Sequence, residues 1–467
     1  MSMKVTIFDV LKRAETGTIC KSEDWCKKVI PGKINEKLKK HGLEKTCTPE
    51  NPINMDDSLA DKFWEAGLEL AIDTGFLCET TRRVIKFTEE EIKDYIRGAP
   101  AEITLGGGRD RITIRARAPE DKNPFNGAWM GPMGVEISED LWIPIHQSHA
   151  QYRIVDGMAA GVLQTAYGIE VKTGTPSETL AGMLEAVLTK EALRRAGRPG
   201  MSCECVVTSP SAYGHLGGFG IPGGYDSKTD LPFGLALSPS RTDYSTLQKA
   251  VHAFNCRTTF HSGGFAMIGG YCGSPEGATA AAISQTILQM LVHQTETVGG
   301  LILDARYFGA CGREAVWADS VLGQAVSRNT HLLRAGLGSS VSGPGTDSLL
   351  YELAVIGIGS MVSGASFMFG PRAAGGKYPE HTTGLESKFF AEVCKASVGL
   401  KRSDGNEIVK KLIPKFEESL AYPPKGKTFR ELCDIKTLKP NKEWQEIYDK
   451  VKEELIDLGL PLSSLKY

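Results

Sequence analysis

From about Gly161 onward the chain keeps one rhythm, a short apolar run followed by a long helical stretch, repeated to about Gly370. That alternation is the trace of β/α units, and a long series of such units closes into a parallel barrel. The predicted strands are VLQTAY, MSCECVV, LPFGLAL, RTTFHSG, LILDA, HLLRAG and SFMFG, with an eighth expected near Phe125 to Val135. The intervening helices open on usable caps, Thr175-Pro176-Ser177-Glu178 and Ser274-Pro275-Glu276, each with proline in the first turn.

A chain of 467 residues exceeds a barrel of about 250, so additions are expected at both ends. Before the barrel, DDSLADKFWEAGLELAIDTG reads as a helix capped by Asp56 or Asp57 and ended by Gly75. AEITLGGGRDRITIRAR then reads as a β-hairpin, a cap or oligomer contact rather than barrel. After the barrel, KPNKEWQEIYDKVKEELIDLGL is amphipathic, with Trp444, Ile447, Val451, Leu455 and Leu458 on one face. The expected organisation is a helical and hairpin extension over 1–124, a (β/α)8 TIM-barrel catalytic domain over 125–400 and a helical extension over 401–467.

Fifty-four basic side chains against 56 acidic ones leave a net charge of -2, which argues against a nucleic-acid footprint or a polybasic membrane surface. The N-terminus lacks an apolar signal core, no apolar run is long enough to span a bilayer, and the 11 cysteines are odd in number. The chain therefore reads as cytoplasmic, with reduced thiols.

In a β/α barrel the residues just after each strand line the functional rim. This selects Tyr213 and His215, Glu276, Asp304 with Arg306, and Arg372. Glycine-rich pieces at 106–108, 217–220 and 263–264 lack the context of a nucleotide loop and read as turns. His146-x-x-His149 and Cys203-x-Cys205 have ligand chemistry without diagnostic spacing; strand alternation puts the two thiols on one face, a buried pair in the barrel core. No metal site is assigned, and a zinc set of Cys203, Cys205 and His261 is the weak alternative.

At these same loops the sequence resembles the monomethylamine methyltransferases of methanogenic archaea. The matching pieces are FTEEEIKDYI, ISEDLWIPIHQSHA, AGRPGM, TSPSAYG, the Gly269-Gly270-Tyr271 turn with Glu276 following, HTTGLESKFFAEV and GKTFRELCDIKTLKP. The resemblance implies a homo-oligomeric barrel, a hexamer in the family, that passes a methyl group from methylamine to the Co(I) corrinoid of a separate partner protein. This chain contains no Asp-x-His-x-x-Gly corrinoid signature, so the cobalt cofactor is expected on that partner.

The family hallmark is a pyrrolysine in the loop after GRPGM, and an ungapped count places that position on Tyr213. Glu276 is taken as the glutamate the family sets beside it. A Gln and Tyr pair expected before the next turn has no counterpart at Leu337, Gly338 and Ser339. Tyrosine is a hydrogen-bonder and an aromatic face but no electrophile. The expected chemistry is therefore methyl transfer from a small methylated amine, quaternary by preference, with Tyr213 and Glu276 catalytic and His215, Phe219, Tyr225, Leu337, Ser339 and Arg372 around the substrate. Two alternatives stand beside it: a true monomethylamine methyltransferase with position 213 recoded or substituted, and a non-catalytic barrel that binds the corrinoid protein.

Overall fold

A computed structural model describes residues 5–465. Eight parallel strands form its centre: β1 (Ala128–Met130), β2 (Gly157–Met158), β3 (Glu204–Cys205), β4 (Leu231–Leu235), β5 (His261–Ile268), β6 (Thr297–Asp304), β7 (Leu333–Ser339) and β8 (Phe367–Arg372). The sheet runs β3-β4-β5-β6-β7-β8-β1-β2, and a parallel bridge between Met158 and Cys203 closes the ring.

Each strand feeds a helix: α1 (Glu139–Ala150), α2 (Pro176–Arg195), α3 (Ala212–Phe219), α4 (Tyr244–Cys256), α5 (Pro275–His293), α6 (Arg313–Asn329), α7 (Asp347–Val362) and α8 (Gly384–Ala396). The fold is a (β/α)8 barrel. The expected strand near Phe125 is β1, the first of the ring. VLQTAY is not a barrel strand: Thr165–Ala166 pairs antiparallel with Ile169–Glu170 in a small outer hairpin, and the second barrel strand is the two-residue Gly157–Met158.

The helix at Asp57–Thr74 forms as its caps predict; the Asp56 carboxylate accepts from the Ser58 and Leu59 amides, and Gly75 ends it. The hairpin Glu102–Leu105 with Ile112–Arg115 also forms, and its place is informative. Ile103, Leu105 and Ile114 pack into the same apolar cluster as Leu231 and Leu333 at the strand starts. The Gly106 amide donates to the Thr229 carbonyl and that of Gly107 to Gly200, just before β4 and β3. Gly106 holds φ +72°, and a Cβ there would stand 2.5 Å from the Asp110 carbonyl oxygen, so only glycine fits this turn. The hairpin thus plugs the N-terminal end of the barrel and leaves the C-terminal mouth as the entrance.

At the other end of the chain, the helix Lys442–Asp457 buries Trp444, Tyr448, Val451 and Leu455; the Trp444 indole donates to Thr383 beside α8. Among the described residues, no helix is long and apolar enough to cross a membrane.

Candidate active site

The structure separates the rim residues that the sequence suggests. Tyr213 is the second residue of α3; the Ser211 hydroxyl caps its amide, and its side chain is 46 % exposed on the outer surface between α2 and α4, beside Leu216, Thr179 and Val251. His215 lies beneath the same helix, fully buried and uncharged, its ring 5.4 Å from His252 and 5.9 Å from Phe219. Phe219 packs on Tyr225 at 5.8 Å, and the Tyr225 hydroxyl donates to Glu185 of α2. These residues knit the helix layer and do not line the mouth. Glu276, in the first turn of α5, accepts the Cys47 amide hydrogen at 2.9 Å and so pins the N-terminal segment to the barrel. The expected pairing of Tyr213 with Glu276 is therefore not formed.

Leu337 and Ser339, by contrast, do lie in the strand ring, on β7. Arg372 ends β8 with its guanidinium against the Gly134 and Gly376 backbones, and among the described residues it has no ion pair. Burial lowers its pKa. Asp304 is fully buried at the end of β6, where Arg306 donates to it at 2.8 Å and also reaches Glu314, a closed ionic cluster.

The metal-like pairs resolve into packing. His146 Nδ1 bonds the Trp142 carbonyl and its Nε2 accepts from the Gly161 amide, while His149 bonds Ser387 and Thr382. Cys203 and Cys205 share a face, as alternation requires, but it is the outer one: both join the apolar cluster with Ala181 and Leu184 of α2. His261 is turned the other way, into the ring, so these three groups do not converge. Among the described residues, no cluster of three or more His, Cys, Asp or Glu stands at metal-binding spacing.

With Cys203 and Cys205 facing out, Glu204 between them faces in. It pairs in register with Leu231, itself part of the interior cluster. Strand tilt sets residues at equal height about one residue beyond their ladder partners on each successive strand. Starting at Glu204, that rule leads through Pro232, His261, Val298, Ala335, Met368, Trp129 and Met158 and returns to Glu204. Alternate members point inward, so Trp129, Glu204, His261 and Ala335 make one interior layer. The next layer toward the mouth is Ala159, Phe233, Gly299 and Phe369.

The ring contacts agree with this layering. His261 lies 5.8 Å from Phe233 and 4.7 Å from Phe369, and Phe369 lies 6.4 Å from Trp129. His261 Nδ1 bonds the Thr297 hydroxyl, and burial pushes its pKa down to about 3, so the ring is neutral. Glu204 is 1 % exposed, and neither carboxyl oxygen has a hydrogen-bond partner. Loss of water, with the Glu185 carboxyl nearby, pushes its pKa up to about 8. A buried polar group without a partner costs about 1–3 kcal/mol, more when charged, so its retention needs a reason. Rim logic missed it because it lies within a strand; the signal was the same alternation that paired the two cysteines.

The fold and this interior define a (β/α)8-barrel enzyme with aromatic layers and a buried acid inside its strand ring. The family profile for "Monomethylamine methyltransferase MtmB" matches residues 5–460, and the chain belongs to that family of methyltransferases. It is 31% identical to the monomethylamine methyltransferase MtmB of Methanosarcina mazei over 454 residues, 97% of this chain and 98% of that one. To MtmB3 of Methanosarcina barkeri it is 32% identical with the same coverage. The crystal structure of the Methanosarcina barkeri enzyme superposes with a TM-score of 0.93 at 31% identity, covering 98% of this chain and 99% of that one.

Proposed function

We propose that this chain transfers a methyl group from a small methylated amine to the Co(I) corrinoid of a separate partner protein. The observation that carries the reading is a family match that spans both the barrel and its two extensions. In the proposed step Co(I) attacks the methyl carbon, the C–N bond breaks with its electron pair staying on nitrogen, and a neutral amine leaves as methyl-Co(III) forms.

A quaternary ammonium is the preferred donor. Every residue of the chain is an ordinary amino acid and none carries an imine, so no side chain offers a covalent trap for a primary amine. A quaternary nitrogen needs no such trap, because it already leaves as a neutral amine. Recoding of position 213 would not change this, since a side chain there projects from the outside of α3. The corrinoid protein is assigned to the C-terminal mouth, the end the hairpin leaves open. Assembly into a homo-oligomer fits the apolar surface at Phe8, Phe254, Tyr213 and Leu216, all about half exposed or more.

The test supplies purified protein with a Co(I) corrinoid protein and a series from methylammonium to tetramethylammonium, and follows the cobalt spectrum. Formation of methyl-Co(III) with any member supports the reading. Unchanged Co(I) with all of them removes it.

A further inference from the structure

We propose that Glu204, Trp129, His261, Phe233 and Phe369 form a binding site for the nitrogen of a heavily methylated ammonium ion inside the barrel. The choice of this cation class rests on the methyltransferase reading above; the existence of a cation site does not.

Both Glu204 oxygens are buried and unpartnered, an acceptor with nothing to accept from. The Trp129 indole N–H in the same layer is likewise buried and unpartnered, so the layer holds one orphaned donor beside the orphaned acid. The rest of the two layers is rings and small apolar residues, with His261 tied to Thr297 through Nδ1. A cation beside Glu204 would favour its carboxylate over the protonated acid that burial otherwise imposes. Aromatic faces attract a cation through their ring quadrupoles, most strongly where water is excluded. Four rings and a carboxylate on adjoining layers combine that attraction with a counter-charge.

The same surroundings select the degree of methylation. Methylammonium brings three N–H donors, and amid rings and aliphatic carbon they find few acceptors beyond the two oxygens of Glu204 and the second ring nitrogen of His261. A tetramethylammonium-like head brings none, and its methyl groups meet rings and aliphatic carbon. On the side of the mouth the layers above Glu204 carry the small residues Ala159, Gly299 and Gly263. A Cβ at Gly263 would stand 3.3 Å from the Phe233 ring and 3.7 Å from Leu301, which places that glycine on the inner wall. A methyl group of the bound cation on this side points to the opening through which an acceptor approaches.

The experiment is calorimetric titration of the full-length protein with tetramethylammonium chloride and, separately, methylammonium chloride, in the wild type, Glu204→Gln and Glu204→Asp, with Tyr213→Phe and Glu276→Gln as controls. The expected result is tetramethylammonium bound more tightly than methylammonium, weakened at least about tenfold by Glu204→Gln, partly retained by Glu204→Asp and unchanged in the controls. Thermal melts confirm that each variant is folded. Binding that survives Glu204→Gln, tighter binding of methylammonium, or no tetramethylammonium binding by a wild type that forms methyl-Co(III) overturns the inference and leaves the methyltransferase reading intact. Tetramethylammonium binding that depends on Glu204, in a protein that never methylates cobalt, upholds the site and removes the reaction.

Discussion

Glu185 and Glu204 stand on opposite sides of the two-residue strand β3, both fully buried, and only one of them is satisfied. Glu185, reaching in from α2, accepts from the Val207 and Thr208 amides at 3.3 and 2.9 Å and from the Tyr225 hydroxyl at 2.9 Å. Glu204 accepts from nothing. The first acid fixes the chain where it leaves the strand, and the second is left free inside the barrel.

That asymmetry predicts a pH-dependent stability. Glu204 faces neutral His261 and Trp129 in its layer, with Glu185 behind it, and its carboxyl rises from 4.5 to about 8 on folding. The folded state therefore holds a proton that the unfolded chain releases, so this contribution to stability is complete below pH 4.5. It declines by about 1.4 kcal/mol per unit as pH rises toward 8. Glu204→Gln removes the titration. Thermal melts from pH 5 to 9 should show the variant gaining on the wild type as pH rises; parallel curves would mean the carboxyl does not titrate in that window.

Replacing the orphaned acid by an apolar side chain of similar size should stabilise the protein and destroy its activity. Glu204→Met removes a desolvated carboxyl that no donor repays and fills the same volume, a change worth about 1–3 kcal/mol in favour of folding. A denaturation midpoint above that of the wild type, with methyl transfer lost, is the expected pair of results. A lower midpoint would mean that a hidden partner satisfies the carboxyl.

Glu276 should prove to be a tether. Its carboxylate oxygen bonds the Cys47 amide, and the Gln side chain retains an oxygen at that place. Glu276→Gln should keep turnover near wild type, while Glu276→Ala, which leaves the Cys47 amide unpaired, should lose about 1–2 kcal/mol of stability with little change in kcat. Abolished turnover in a folded Glu276→Gln variant would return that residue to the chemistry.

The barrel was legible in the sequence because helix caps and apolar runs are local signals. Asp56 and Gly75 bounded their helix, and Ser274-Pro275 opened α5 as its residue types required. The second strand was missed because two residues, Gly157 and Met158, leave no periodicity, and VLQTAY next to them offered a better imitation. The site was harder still. Tyr213 and Glu276 carry suitable chemistry in suitable segments, yet which way a side chain leaves a helix or loop depends on partners distant in sequence, such as Cys47 for Glu276. Cys203-Glu204-Cys205 held the answer in its alternation, but which face looked inward was decided by the ring closure at Met158.

Substrate size should be set by the small residues above Glu204, and Gly263 is the place to test it. An alanine there puts its methyl 3.3 Å from the Phe233 ring, a contact that requires that ring to yield by a few tenths of an ångström; a leucine extends further toward the barrel axis. If the methylated cation sits between Glu204 and the mouth, Gly263→Leu should raise the KM for tetramethylammonium far more than for methylammonium, because steric loss grows with each added methyl. Stability should fall by about 1–3 kcal/mol from overpacking, so the comparison is made within one variant between two donors. An equal loss for both donors would mean that the leucine distorts the barrel as a whole, and unchanged kinetics would move the cation out of the strand ring.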